Sequence, residues 1–370
     1  MAVPLMNPSA QWEPYLGELE QIASDVIRSG QFILGPHVKA FEAEAASYLG
    51  VKHAIGVANG TDALTITLRA LGIGAGDEVI CPAYTFFATP ETISSVGATP
   101  VFADVDPATN CIDVDDVRAR ITGRTKAIMP VHLFGQVADM AGLRELADER
   151  GLAIIEDAAQ AWGAEQGGTR AGAFGDAATF SFFPTKNLPC FGDGGLVVTD
   201  RDDVAELARM LRFHGSTDKV TFEHVGYNSR LDDLQAAFLR RHLVEVDAWN
   251  AHRRTVAGWY EEAGLGELVE LPPVADGNVP IWHLYVVRTE HRDDLIAACK
   301  AAGVAAAVYY GNPHHLQPVY ASLGGQPGDL PVTERLSETA VALPMFATMT
   351  RDQVDAVVAA VRAGVPARVG

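Results

Sequence analysis

The sequence predicts an α/β protein whose larger part is a mostly parallel sheet covered on both faces, followed by a smaller α+β region. From His53 onward, short apolar runs rich in β-branched residues alternate with longer helix-like segments, the rhythm of buried parallel strands joined by helical crossovers. The 370 residues exceed the roughly 250–300 that one core usually organises. After Trp249 the rhythm restarts with a long helical pattern and a different alternation. The expected domains are therefore 1–248 and 249–370, with the N-terminal segment free to pack on the smaller one.

Taken in order, residues 15–28 read as an acidic helix stopped at Ser29-Gly30. A second helix is expected over 38–49, where Phe41, Ala45 and Leu49 recur every four residues. Strands are expected at 54–58, 78–81, 99–103, 127–131, 153–156, 177–181 and 196–199, spaced by helices such as 61–71, 88–96 and 138–150. Residues 201–248 read as helical, most clearly over 204–211 and 231–246. Beyond the Pro272-Pro273 break come a strand at 283–288, a helix at 292–303, a strand at 305–310 and a helix at 351–363. Sheets of this type bind ligands at the carboxyl ends of their strands.

Lys and Arg total 28 against 47 Asp and Glu, a net charge of −19, which argues against nucleic acid or an anionic membrane as partner. A local site for a small phosphorylated ligand remains compatible. Cys81, Cys111, Cys190 and Cys299 show neither C-x-x-C pairing nor metal-ligand spacing, so no disulfide framework and no metal site are expected. The first residues lack a cationic stretch followed by an apolar one, and no apolar run reaches the ~18 residues of a membrane span; the expected compartment is the cytoplasm.

Four stretches carry chemistry. Residues 179–187 run apolar to Pro184 and then present Lys186 before the Gly192-Asp193-Gly194-Gly195 turn. At the mouth of a buried strand an amine is partly desolvated, which lowers its pKa and makes it a nucleophile toward carbonyls; the plain alternative is a solvated loop lysine. Asn59-Gly60-Thr61-Asp62-Ala63 opens a helix after the first strand, where free N–H groups, a glycine and a hydroxyl suit a phosphate, or where Thr61 or Asp62 is simply a cap. Aromatics between Ala83 and Thr89, including Phe86, either stack on a planar ring or fill core. Glu156 and Asp157 end an apolar strand: Glu156 reads as an exposed acid beginning a turn, Asp157 as an inward carboxylate needing a cation. A phosphate, a flat ring, a basic ring nitrogen and a carbonyl that condenses with lysine together describe pyridoxal 5′-phosphate.

With these stretches in hand, the chain resembles the pyridoxal-phosphate-dependent nucleotide-sugar aminotransferases of the DegT/StrS type, within fold type I. The likeness covers nearly the whole length, through Gly35-Pro36, residues 59–64, 82–89, 131–135, 156–160, 180–195, 226–232 and 313–317. It implies a mixed, mostly parallel seven-stranded sheet with a smaller α+β C-terminal domain. It also implies that Lys186 is the Schiff-base lysine and proton shuttle, that Asp157 holds the ring nitrogen protonated, and that Gln160 contacts the ring hydroxyl. Phe86 would stack on the ring, Gly60, Thr61 and Ser181 would bind the phosphate, and Asn228 would reach in from a second subunit, implying a homodimer with shared active sites. Relatives that remove an oxygen at C3 carry histidine at the lysine position, so Lys186 implies transamination. The donor implied is L-glutamate, leaving 2-oxoglutarate, and the acceptor a UDP- or TDP-linked ketosugar.

Residues 186–188, the 192–195 turn and Tyr309-Tyr310 resemble the 3-ketosugar branch; C4 amination, an amino-acid-metabolising enzyme of the same superfamily and a non-catalytic regulator on the same fold are the alternatives. Pro189-Cys190 departs from that branch, where glycine more often follows the leucine. Arg212, His214, Lys219 and Arg230 are candidate cations for the substrate phosphates, or ordinary salt-bridge residues, and Tyr309 and His315 are candidate sugar contacts.

Overall fold

Seven strands form one sheet in the computed structural model, which describes residues 2–367. They are β1 (His53–Val57), β2 (Glu78–Pro82), β3 (Thr99–Ala103), β4 (Thr125–Ile128), β5 (Ala153–Asp157), β6 (Ala177–Ser181) and β7 (Gly195–Thr199). Their order is β1-β7-β6-β5-β4-β2-β3. Only β7 runs against its neighbours, pairing antiparallel with β1 and with β6, so the sheet is mixed but mostly parallel. Nearly every residue of β2, β5 and β7 is buried, as expected for strands covered on both faces.

The antiparallel strand is what gathers the site. Because β7 enters at the sheet's carboxyl edge, Ser181 at the end of β6 pairs with Gly195 at the start of β7, while Asp157 ends β5 opposite Thr179. Gly195 lies so close to the chain entering the next helix that a Cβ there would stand 2.2 Å from the Asn59 carbonyl oxygen. Gly195→Ala should therefore cost about 1–3 kcal/mol, read as a lowered denaturant midpoint with unchanged slope.

Past β7 the helices are Asp202–Leu211, Asp233–Leu243 and Val246–Glu262. The single helix expected over 231–246 is thus two, separated at Val244 and Glu245, and the second runs unbroken through Trp249. Tyr285–Arg288 (β8) pairs antiparallel with Ala340–Leu343 (β9), a strand not anticipated from the sequence. The strand expected over 305–310 reduces to one bridge between Ala307 and Ala342. Around β8 and β9 lies a second apolar cluster, which includes Val256, Tyr260, Leu295, Val357 and Val361. Val3 belongs to it, with its N–H on the Gly303 carbonyl (3.0 Å) and its carbonyl accepting from Ala305 (2.9 Å). No helix of the described residues is long and apolar enough to cross a membrane.

Candidate active site

The helix Gly60–Ala70 buries Ala63, Leu64, Ile66, Thr67 and Leu68 against the sheet, so its N-terminus opens at the carboxyl edge. Its cap is neither Thr61 nor Asp62 but Asn59, whose side-chain oxygen accepts from the Asp62 N–H at 2.8 Å. The cap leaves the N–H groups of Gly60 and Thr61 directed at the opening of the helix, where an anion is favoured. Gly60 is there for proximity: a Cβ would sit 2.8 Å from the Ser181 Cβ. Gly60, Thr61 and Ser181 thus come together from two elements distant in sequence.

They line a cavity of about 630 Å³ together with Phe86, Asp157, Gln160, Lys186, His283, Tyr309 and Tyr310. The segment after β6 folds back on itself: Phe182 N–H donates to Gly194 O (2.8 Å), Lys186 N–H to Phe183 O (2.8 Å) and Cys190 N–H to Phe182 O (2.8 Å). Pro189 adds a carbonyl that accepts from the buried His242 ring at 2.8 Å, so the residue that departs from the 3-ketosugar pattern is pinned from behind. Lys186 is half-buried. Desolvation lowers its pKa from 10.5 to about 8, against the pull of the Asp157 carboxylate toward the charged form.

Adjacent strand residues face opposite sides of a sheet, and β5 uses that to separate its two acids. Asp157 faces the cavity, where one carboxylate oxygen accepts from Thr89 Oγ1 (2.8 Å) and the other from Ala159 N–H (3.2 Å). Burial raises its pKa, while the Thr89 and Ala159 bonds and Lys186 oppose the rise. Glu156 is not the exposed acid its sequence position suggested but fully buried. It accepts from His132 Nε2 (2.8 Å) and from the N–H groups of Gly172 (2.7 Å), Phe174 (2.8 Å) and Gly175 (2.7 Å), which together replace the water it has lost.

Gln160 is engaged at both ends, accepting from Phe134 N–H (2.9 Å) and donating to Tyr310 Oη (2.9 Å). Phe86 lines the cavity while 59 % exposed, leaving a ring face for a ligand. Tyr309 lines the same cavity, its carbonyl accepting from Tyr84 Oη. His315 does not: it is buried elsewhere, 3.1 Å from Glu334. Asn228 and Arg230 lie outside the cavity of their own chain, bonded to each other, with the Arg230 guanidinium over Phe213 at 5.7 Å. Arg212 is tied inward to Glu42 and to the Gly56 carbonyl, and Lys219 lies over Phe213 at 4.9 Å. Sequence reasoning missed His283 and gave Tyr310 and Thr89 no role of their own. His283 carries no local motif, and Tyr310 and Thr89 reveal their partners only when the chain is folded.

A lysine amine of lowered pKa and a buried carboxylate sharing one cavity at the carboxyl edge of a mostly parallel sheet suit Schiff-base chemistry of the kind aminotransferases perform. More specifically, the profile of the DegT/DnrJ/EryC1/StrS aminotransferase family matches residues 17–362, and the chain belongs to that family. It is 48% identical to a pleiotropic regulatory protein of Geobacillus stearothermophilus, covering 95% of this chain and 96% of that one. A dTDP-3-amino-3,4,6-trideoxy-alpha-D-glucose transaminase of Streptomyces venezuelae is 45% identical over 97% of this chain and 95% of its own. A UDP-N-acetyl-3-dehydro-alpha-D-glucosamine 3-aminotransferase of Acidithiobacillus ferrooxidans is 43% identical over 98% and 97%. Among solved structures, S. venezuelae DesV in complex with a ketimine intermediate superposes with a TM-score of 0.95 at 45% identity, covering 98% of both chains. The expected fold class and enzyme class both stand.

Proposed function

We propose that the protein is a pyridoxal 5′-phosphate-dependent aminotransferase that moves an amino group from L-glutamate to C3 of a UDP- or TDP-linked 3-ketohexose. It would act in the cytoplasm as a homodimer with shared active sites. The observation that carries the reading is the Lys186 amine, with a pKa near 8, sharing one cavity with the buried Asp157. The residues suit the cofactor: a glycine-lined approach to a helix N-terminus for the phosphate, an aromatic face at Phe86, and a buried carboxylate with no cation at bonding distance among the described residues.

When bound, the cofactor supplies an aldehyde and an electron-accepting ring. Gly60, Thr61 and Ser181 hold the phosphate, Asp157 keeps the ring nitrogen protonated, and Phe86 covers the ring. Gln160, tied to Phe134 and Tyr310, holds its amide rigidly beside the ring hydroxyl. Lys186 takes up and returns the proton at the reacting carbon. Asn228 and Arg230 lie beyond the cavity of their own chain, a few residues after the exposed Val220, Phe222 and Val225 in sequence. That placement favours a role in a partner subunit's site, and Arg230 is a cation suited there to substrate phosphate.

Placement of the amino group at C3 draws on the names of two relatives and on Tyr309 and Tyr310 in the cavity wall. Enzyme first aminated with glutamate is expected to pass its nitrogen to UDP- or TDP-3-ketosugars. Discharge by 4-ketosugars alone would move the reading to C4. A colourless protein that takes up no cofactor would favour a regulator, the class to which the name of one relative points.

A further inference from the structure

Through Asn187, the residue after Lys186, runs a buried polar relay that the transamination just described does not use. Its starting point is the Trp162 carbonyl, which can only accept, so the Asn250 amide must present Nδ2 to it (3.0 Å). Asn250 Oδ1 is then an acceptor, and the buried Asn187 must meet it with its own Nδ2 (2.7 Å), which also donates to the Ile281 carbonyl (2.9 Å). Both amide protons of Asn187 are now placed. Its Oδ1, the remaining polar atom, lies 3.3 Å from Nδ1 of His283. An amide oxygen cannot donate, so the proton of that bond resides on His283 Nδ1. A neutral imidazole carries one proton, and Nε2 is left as a bare acceptor.

His283 is only 4 % exposed and lines the same cavity as Lys186. Its backbone N–H donates to Phe134 O (2.9 Å), and the preceding carbonyl of Trp282 accepts from the buried Arg253 at 3.2 Å. Burial, Lys186 and Arg253, in that order, push the imidazole well below its usual pKa of 6.5. The carboxylates in the cavity wall are Asp62, Asp157 and Asp193, and among the described residues none bonds the ring. The ring is therefore neutral at and above neutral pH.

We propose that His283 is a positioning residue for Lys186: locked in its Nδ1–H tautomer by the Asn187–Asn250 relay, it offers Nε2 as a proton-free acceptor to the lysine amine whenever that amine is free. A carboxylate in its place would also orient the amine, but its charge would hold the lysine protonated and unreactive. A neutral acceptor orients without that effect. The inference rests on Lys186 being the lysine that bonds the cofactor and moves the proton.

The full-length holoenzyme, labelled with 15N-histidine, tests it by long-range 1H–15N correlation between pH 5.5 and 8.5. The signal lost in His283→Gln is expected to be neutral and Nδ1-protonated at and above neutral pH. In single-turnover reaction with glutamate, His283→Phe should lose roughly 10- to 100-fold in rate, with the acidic limb of the pH profile displaced. His283→Gln, which keeps an acceptor, should recover most of the loss. An Nε2–H or charged ring near neutral pH overturns the proposal. So does His283→Phe reacting within twofold of the parent with normal cofactor absorbance. Should the phenylalanine variant not fold, the tautomer in the unmodified protein decides. Failure of the parent reading is separable: borohydride label would then attach somewhere other than Lys186, whatever the state of His283.

Discussion

Lys186→Ala is expected to abolish transamination, with single-turnover rates falling by about 10²–10⁴-fold from the loss of the proton-transferring amine alone, and by more because the covalent link is lost. The fold should survive, because Lys186 is half-buried and its backbone, through the bond to Phe183 O, is independent of the side chain. Far-ultraviolet dichroism should match the parent while the lysine-linked visible absorbance disappears. The amine also sets a pH dependence whose sign follows from its environment. Desolvation brings the pKa down from 10.5 to about 8. The reactive neutral fraction therefore rises about tenfold per pH unit below 8 and levels off above it. Uptake of cofactor by the stripped protein, followed by absorbance, should trace that curve. A rate still climbing at pH 10 would mean an amine of ordinary basicity and would remove the central support for the proposed chemistry.

Asp157→Asn should cut the half-reaction with glutamate by roughly 10²–10³-fold, the scale on which a preorganised electrostatic contact to a reacting group acts. The asparagine is close in shape and keeps an acceptor for Thr89, giving up only the weaker bond from Ala159 N–H at 3.2 Å, so the loss reports chiefly the charge. Asp157→Ala should lose as much, and it leaves the Thr89 hydroxyl with only that of Thr85 at 3.2 Å. Without cofactor the aspartate is a buried carboxylate whose pKa is raised by desolvation, so removing it should leave the stripped protein's denaturant midpoint nearly unchanged or higher. Loss of rate without loss of stability is a combination that a purely structural role for Asp157 would not produce. A turnover rate for Asp157→Asn within tenfold of the parent would show that the charge is not used.

The strands were legible because a sheet covered on both faces needs runs such as Ala-Ile-Ile at 153–155 and Leu-Val-Val at 196–198, and local composition records that need directly. Lys186, Asp157 and the 59–63 loop were legible because each sits at the carboxyl end of such a run, where topology brings strand ends together. Helix boundaries were less so. The break at Val244 and Glu245, like the absence of a full strand over 305–310, depends on packing partners that a local window does not contain.

By itself, then, the sequence determined the α/β class and singled out Lys186, Asp157 and residues 59–63 as candidates that the fold brings to one cavity, since these follow from residue type and from position along a strand. Only the tertiary structure decided which of the paired acids is buried in a hydrogen-bond cage, that Asn59 caps the helix, and that His315 lies away from the cavity. It also placed His283, 97 residues beyond Lys186 in the chain, in the lysine's own cavity. The reason is physical. Strand alternation and burial act locally and leave a pattern in the chain, whereas the orientation of a buried amide or imidazole is dictated by donors and acceptors that folding alone assembles around it.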